Sequence, residues 1–181
     1  MQTKDIVYIA LFAALTAALG LFPPLAVPVI AVPITAQSMG PMLAGGILGA
    51  KRGALALVLL LVLVALGLPL LAGGRGGFGV FLGPTGGFMI GWVVAAFVIG
   101  WLFERYWSRL SFLLAVTFML IGGVAVVYLF GILWLVFSAQ ISVAQATLSS
   151  MAFIPGDIVK AVLAALVALV IKRSYPLIGR A

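Results

Sequence analysis

Six apolar segments follow one another along this chain, and charged residues are confined almost entirely to the short stretches between them. Hydrophobic residues make up 66% of the 181 residues and charged residues 7%. Globular domains carry about 25% charged residues, so a soluble surface cannot be built from this composition. The sequence therefore predicts an all-α integral membrane protein, lying in the lipid bilayer, with residues 1–181 as a single domain.

A helix needs about 20 residues to cross a hydrocarbon core about 30 Å thick. The second apolar segment contains Gln37, Pro41 and several glycines, so neighbouring parts of the protein must satisfy its backbone. The first is interpreted as a membrane helix and not as a signal peptide, because no polar cleavage region follows its apolar run. The predicted membrane-spanning helices are residues 6–22, 34–50, 53–71, 86–103, 112–137 and 156–171.

The basic residues indicate which way the chain enters the membrane. If the N-terminus is cytoplasmic, six crossings place eight of the ten basic residues on the cytoplasmic side, as the positive-inside rule requires. These are Lys4, Lys51, Arg52, Arg105, Arg109, Lys172, Arg173 and Arg180. We therefore expect a bundle of six transmembrane helices with both termini in the cytoplasm. The outer connections are then residues 20–33, 72–85 and 138–155, and the first, with four prolines and no charge, is expected to fold back over the bundle or to dip into it.

Arg75, Asp157 and Lys160 are the charged residues that this topology leaves on the outer side. Asp157 and Lys160 lie three residues apart at the start of the sixth helix, so both project from one face. A local ion pair, with Lys160 reaching out to the membrane interface, is one explanation. Ionisable residues at membrane depth more often mark function, so we predict a polar site at the outer end of the bundle for a small molecule with donors and acceptors.

Residues 73–88 read GGRGGFGVFLGPTGGF and surround Arg75 with glycine. Glycine permits positive φ and lets backbone N–H groups approach a ligand closely. Thr85 stands at the start of the fourth predicted helix, where unpaired backbone donors gather. A tight turn between two spans is the alternative, but a cation on the outer side favours a binding site.

Helix one carries Ala10, Ala14 and Ala18 at four-residue spacing, a small-residue surface on which another helix can pack closely. Packing inside the bundle would explain the same pattern. The chain has no Cys and no His, which excludes disulfides, thiolate nucleophiles and the common zinc sites. It also lacks a phosphate-binding loop, so it cannot be the ATP-hydrolysing part of a pump. We expect no metal, no cofactor and no nucleic-acid partner.

Three segments resemble the BioY family, the biotin-specific S components of energy-coupling factor (ECF) transporters. They are VPITAQ at 32–37, GLPLLAGGRGGFGVFLGPTGGF at 67–88 and PGDIVKAVLAA at 155–165. The resemblance implies a six-helix protein of a bacterial or archaeal cytoplasmic membrane that captures biotin from the outside and is not an enzyme. S components work with a transmembrane coupling protein and two ATPase subunits, and they dock through an AxxxA motif in helix one, here Ala10, Ala14 and Ala18. Some BioY proteins occur apart from a dedicated module, so self-association stays open.

For biotin, Asp157 is expected to accept hydrogen bonds from the ureido N–H groups. Lys160 would donate to the ureido oxygen or hold Asp157 charged, and Arg75 would face the carboxylate. The other residues expected at the ligand are Gln37, Gly74, Gly76, Thr85 and an aromatic wall of Phe78, Phe81 or Phe88.

Three alternative functions are weighed against this one. An S component for thiamine or riboflavin fits the same plan, but Arg75 disfavours a ligand that is cationic or lacks a carboxylate. A membrane-embedded enzyme has little chemistry available without His, Cys or clustered carboxylates. A purely structural assembly subunit would explain helix one but not the outer charges.

Overall fold

The computed structural model describes residues 1–24 and 34–178, and within these ranges it contains helices and no β-strand. The all-α class predicted from the sequence is confirmed. The α-helices are α1 (Thr3–Leu19), α2 (Met39–Leu48), α3 (Ala50–Ala65), α4 (Gly79–Leu82), α5 (Gly86–Arg105), α6 (Phe112–Leu120), α7 (Val127–Ala139), α8 (Val143–Met151) and α9 (Ile154–Ser174). Single 3₁₀ turns lie at Ala36–Ser38 and Trp107–Arg109.

Helices α6 and α7 are joined by a π-helical segment, Ile121–Val126, and form one continuous helix, Phe112–Ala139. Among the described residues, this helix and α5 and α9 are long and apolar enough to cross a membrane, with mean hydropathies of 2.5, 2.0 and 2.2. They correspond to the fifth, fourth and sixth predicted spans. Their length and composition are those of a membrane protein.

The first three predicted spans correspond to shorter helices, α1 with 17 residues, α2 with 10 and α3 with 16. The second predicted span becomes α-helical only at Met39, and the third ends at Ala65 and not at residue 71. A break between α2 and α3 falls at Gly49, where φ is +85°, a conformation that glycine adopts without strain. The Glu104 carboxylate of α5 accepts a hydrogen bond from the Ala50 N–H at 2.8 Å and so caps the start of α3. The count of six crossings and their orientation stay predictions.

Residues 25–33 of the proline-rich connection lie outside the described residues. The expected fold of this connection over or into the bundle is therefore an untested prediction. Arg180 also lies outside the described residues. The outer connection 138–155 contains a short helix, α8, which the pattern of apolar segments does not predict. That helix is stabilised by a capping box in which Ser142 Oγ accepts from the Gln145 N–H and Gln145 Oε1 accepts from the Ser142 N–H, both at 3.2 Å.

Helix α5 lies at the centre of the bundle and packs against α2, α3 and α7. A Cβ on Gly45 of α2 would collide with the Ala96 carbonyl of α5, and one on Gly100 of α5 would collide with the backbone at Ala50. These glycines let the helix backbones approach closely. The resulting van der Waals contacts stabilise helix association in lipid, where the hydrophobic effect between helices is absent. The core around them is closed by Met42, Leu57, Leu60, Met89, Ile99 and Phe103, all at most 2% exposed.

Helix α1 buries one face, formed by Ile9, Phe12, Ala13 and Thr16. Ala10, Ala14 and Ala18 lie on the exposed face. Among residues 1–24 and 34–178, their stripe is therefore not used for packing inside the bundle, and its small side chains suit close packing of another helix.

Candidate functional site

Asp157 lies in the first turn of α9, whose start is favoured by Pro155. The residue is 4% exposed, yet both carboxylate oxygens have partners. Oδ2 accepts from the Tyr128 hydroxyl at 2.7 Å, and Oδ1 accepts from Lys160 Nζ at 2.8 Å. A buried carboxylate is tolerated only with such charge-assisted partners, so these three side chains form one unit.

Lys160 follows one turn later on the same face of α9. Its Nζ also donates to Ser38 Oγ at 2.9 Å, across the gap between α9 and the 3₁₀ turn before α2. The helix dipole disfavours a cation near an N-terminus, and the adjacent Asp157 carboxylate offsets that penalty. The local ion pair considered from sequence is thus present, but Lys160 points into the protein and does not reach out to the interface.

A cavity opens beside this ion pair and contains about 430 Å³ of empty space, counting its open mouth. Small-molecule sites are mostly apolar, with a few polar groups that fix the orientation of the ligand. The cavity is lined by Ile34, Thr35, Ser38, Phe88, Trp92, Gly123, Val127, Tyr128, Phe153, Asp157 and Lys160. Its composition matches that class of site.

Three aromatic rings form one wall of this cavity. Phe88, Tyr128 and Phe153 contact one another edge to face, with ring centroids 6.3–6.5 Å apart. This arrangement is the favoured geometry for aromatic pairs, and it holds the Tyr128 hydroxyl on Asp157 while the ring remains in the wall.

Arg75 lies in a tight turn whose ends are paired by backbone hydrogen bonds between Leu71 and Arg75, 3.0 and 3.2 Å long. Gly73 and Gly74 allow the turn, with φ of +78° and +69°, as the glycine-rich sequence predicts. The Arg75 side chain is half-buried and donates from Nε to the Ala72 carbonyl at 3.2 Å. In the part of the chain that the structure describes, no carboxylate pairs with its guanidinium.

A second cavity, of about 350 Å³ including its mouth, lies between this turn and α5. Its lining is Thr35, Gln37, Leu71, Arg75, Thr85, Phe88, Met89 and Trp92. Thr35, Phe88 and Trp92 line both cavities, so the two spaces are neighbours on either side of these residues. The first cavity contains the Asp157–Lys160 ion pair, and the second contains the Arg75 guanidinium.

The residues predicted from sequence are partly brought together. Asp157 and Lys160 line the first cavity, whereas Arg75, Gln37 and Thr85 line the second. Gly74 and Gly76 belong to the Arg75 turn and its continuation, with Gly76 packed under the Leu68 carbonyl. Phe78 is 66% exposed and lies outside the lining of both cavities, whereas Phe88, its predicted alternative, lines both.

Several lining residues were missed from sequence, above all Ser38, Trp92, Tyr128 and Phe153. Each is an ordinary residue of an apolar or short polar stretch, and only the packing of distant helices places it at the site. One local signal was available, the Gly122–Gly123 pair inside an otherwise apolar run. It marks the π-helical segment, and such segments occur frequently at functional sites.

Within the described residues, no group of three or more His, Cys, Asp or Glu side chains could hold a metal ion. The polar groups of the site are acceptors and donors suited to an organic ligand. Long apolar helices around an apolar cavity with a few polar groups are typical of a helical membrane protein that binds a small molecule.

Comparisons with known proteins identify the family. The sequence model of the BioY family matches residues 1–177. The chain is 50% identical to the biotin transporter BioY of Rhizobium etli, over 98% of both chains. It is 49% identical to the biotin transporter BioY of Rhodobacter capsulatus, over 96% of this chain and 95% of that one. A solved structure described as the S-component for biotin from an ECF-type ABC transporter superposes with a TM-score of 0.93 at 34% identity, covering 98% of this chain and 97% of the other.

The chain belongs to the BioY family. Its relatives are transporters, so it is a transport protein and not an enzyme. The resemblance carried by the three sequence segments is confirmed.

Proposed function

We propose that this protein captures biotin for uptake across the cytoplasmic membrane, as the substrate-binding S component of an ECF transporter. The observation that carries the proposal is the pair of neighbouring cavities, with an ion pair in one and an arginine in the other. The names of the relatives from Rhizobium etli and Rhodobacter capsulatus, and the description of the solved S-component, support biotin as the ligand.

The first cavity suits the ring end of biotin. The ureido group has two N–H donors and one carbonyl acceptor, and the fused sulfur-containing ring is apolar. The Asp157 carboxylate accepts from the ureido N–H groups, while Lys160 donates to the ureido carbonyl oxygen. The wall of Phe88, Tyr128 and Phe153 encloses the apolar ring.

The second cavity suits the acid end. Arg75 carries a guanidinium that binds a carboxylate through parallel hydrogen bonds. Thr85 and Gln37 also line this cavity, and Gly74 and Gly76 flank Arg75 in the chain, where we propose that their backbone N–H groups add donors for the ligand. Phe78 is proposed to join the enclosure from the outer side, next to Phe81, whose ring centroid lies 6.1 Å away.

Apolar enclosure supplies most of the net binding energy. The charges of the site and of the ligand must lose water before they meet, which cancels much of their attraction. Aromatic surface on both sides of the ligand contributes without that penalty. Exclusion of water also strengthens the polar contacts that remain.

The proposed topology is six crossings with both termini in the cytoplasm. Arg52 at the start of α3 supports this arrangement, because it binds residues near both chain ends. Its guanidinium donates to Asp5 Oδ1 at 3.2 Å and to the Leu177 carbonyl at 2.5 Å. Lys172 donates to the Trp107 carbonyl between α5 and α6 at 2.6 Å, so several basic residues cluster at one end of the bundle.

The proposed partners are a transmembrane coupling protein and two cytoplasmic ATPase subunits. The exposed stripe of Ala10, Ala14 and Ala18 supports docking of a partner helix on α1. Self-association through the same stripe is the alternative, in which copies of this chain act together.

Equilibrium binding of labelled biotin to the purified chain in nanodiscs tests the proposal, with biotin amide, thiamine and riboflavin as competitors. We expect saturable binding that biotin displaces and that thiamine and riboflavin do not. Displacement by thiamine or riboflavin, or no binding by a folded sample, would contradict biotin capture.

A further inference from the structure

Gln37 is a buried amide whose hydrogen-bonding groups are occupied by three separate backbone sites. It is 1% exposed. Its Nε2 donates to the Thr16 carbonyl at 3.2 Å and to the Leu70 carbonyl at 2.8 Å, and its Oε1 accepts from the Ala72 N–H at 3.0 Å. Both amide hydrogens are used, so this side chain has no donor left for a ligand.

The two bonds to residues 70 and 72 flank Leu71, whose backbone is paired with Arg75. Ala72 continues the connection, because its N–H binds Gln37 while its carbonyl accepts from Arg75 Nε at 3.2 Å. Two hydrogen bonds through one peptide residue therefore link the Gln37 amide to the Arg75 guanidinium.

In the opposite direction, Gln37 is adjacent in sequence to Ser38, which accepts from Lys160 Nζ. Both belong to the 3₁₀ turn Ala36–Ser38. The bond to Thr16 ties this turn to the last part of α1, where helix carbonyls have no partner within the helix. Gln37 thus connects the turn that carries Arg75 to the turn that contacts the Asp157–Lys160 pair.

We infer that Gln37 is a positioning residue that sets the distance between Arg75 and the Asp157–Lys160 pair, and thereby selects acids of one chain length. The inference rests on the proposed function, since the ligand must engage both ends of the site. A ligand with a shorter or longer acid chain would place its carboxylate away from Arg75, and the buried amide keeps the turn from following it.

The test compares binding of biotin with binding of its analogues that have one methylene fewer or one more in the acid chain. The proteins are wild type, Gln37→Met, Arg75→Ala and the double variant, each purified in nanodiscs. Methionine retains the volume and removes the hydrogen bonds. For Gln37→Met we expect about tenfold weaker biotin binding and a preference for biotin over both analogues that falls by about the same factor.

Arg75→Ala alone is expected to weaken biotin binding at least as much as Gln37→Met does, although less than loss of the Asp157 carboxylate, and to reduce the discrimination against biotin amide. If Gln37 acts through Arg75, adding Gln37→Met to Arg75→Ala will cause little further loss of chain-length preference, because interacting residues are not additive. Equal losses for all three acids, or the same effect with and without Arg75, would overturn the inference and leave biotin capture intact. No biotin binding by the folded wild type would overturn both.

A second variant addresses failure of Gln37→Met to fold. A Cβ on Gly20 would lie 2.9 Å from Gln37 Nε2 and 2.9 Å from the Leu70 carbonyl, so Gly20→Ala displaces this contact while retaining the amide. Gly20→Ala should reduce the preference for biotin over both analogues, by a smaller factor than Gln37→Met does. An unchanged preference would count against the inference. Ser150→Ala is the control, since Ser150 is 1% exposed, binds its own helix at Ala146 and lines neither cavity.

Discussion

Asp157 is the side chain on which recognition of the ureido ring depends most in the proposed complex. Its two oxygens are already oriented by Tyr128 and Lys160, so the ligand meets a carboxylate in a fixed position. The free energy needed to bury and orient the Asp157 carboxylate is part of folding and does not reduce the affinity for the ligand.

Asp157→Asn is expected to weaken biotin binding at least tenfold, or about 1.4 kcal/mol. The asparagine keeps the shape but removes the charge, and its NH₂ replaces an oxygen that accepts from either Tyr128 or Lys160. Binding of labelled biotin to the purified variant measures the change. Asp5→Asn serves as control, because Asp5 pairs with Arg52 and lines neither of the two cavities of the site. Unchanged affinity in folded Asp157→Asn protein would contradict the assigned role.

Tyr128→Phe separates the hydroxyl from the ring. The phenyl group remains in the aromatic wall, whereas Asp157 loses its 2.7 Å donor. We expect about fivefold weaker biotin binding, since one hydrogen bond to a carboxylate is lost but the enclosure is kept. Titration of the purified variant with labelled biotin measures the change. Tyr106→Phe is the control, because Tyr106 lines neither cavity. Wild-type affinity would mean that Lys160 alone orients Asp157.

Among the elements, the long helix Phe112–Ala139 has an unusual pattern of buried residues. Ala115, Met119, Gly123, Val127, Gly131 and Leu135 are buried and lie four residues apart. An α-helix has 3.6 residues per turn, so such a stripe would drift by about 40° at each step. The π-helical segment Ile121–Val126 takes up an extra residue and keeps both halves of the stripe facing the bundle.

Deletion of Ala125, an exposed residue of the π-helical segment, should therefore be tolerated. The helix becomes regular there while both flanking faces stay inward. Deletion of Leu133, which is 61% exposed in α7, instead turns the residues after it by about 100° and breaks the 2.8 Å bond from Trp134 to the Gly83 carbonyl. We expect thermal unfolding to show a larger loss of stability for the Leu133 deletion. Equal losses would contradict the role given to the π-helical segment.

At the scale of the whole molecule, the proposed topology can be tested by labelling single introduced cysteines, because the chain itself has no cysteine that would react. Gln140→Cys lies at an exposed position after α7, and Ser108→Cys lies at an exposed position between α5 and α6. A membrane-impermeant maleimide added to intact cells should label Gln140→Cys and label Ser108→Cys only after the cells are opened. The reverse pattern would invert the orientation, and labelling of both would contradict the predicted number of crossings.

The exposed stripe of α1 gives the whole molecule a surface that is separate from the ligand site. Ala10→Trp and Ala14→Trp should leave biotin binding by the purified chain unchanged and abolish uptake into cells, because a partner helix can no longer pack closely. Val170→Trp, at a 61% exposed position of α9, is the control and should retain uptake. Full uptake by the α1 variants would exclude this stripe as the docking surface.

The membrane character of the chain, its helical class and its three longest spans were predictable from sequence, because a run of apolar residues is a local property that burial in lipid requires. The family motifs and the pairing of Asp157 with Lys160 were equally local. The extent of the second and third spans was not, because α2 begins only at Met39 and α3 ends at Ala65, and the predicted residues beyond these ends are joined by hydrogen bonds from Gln37 to residues 70 and 72.

The arrangement of the site was decided by tertiary packing alone. Tyr128, Ser38 and Trp92 carry no sequence pattern that distinguishes them from other residues of apolar helices, and only the bundle brings them beside Asp157. Gln37 was visible as a polar residue in an apolar segment, but its three backbone partners are distant in sequence. Hydrophobicity and charge act on each segment separately, whereas hydrogen bonds between segments depend on distances that exist only in the folded chain.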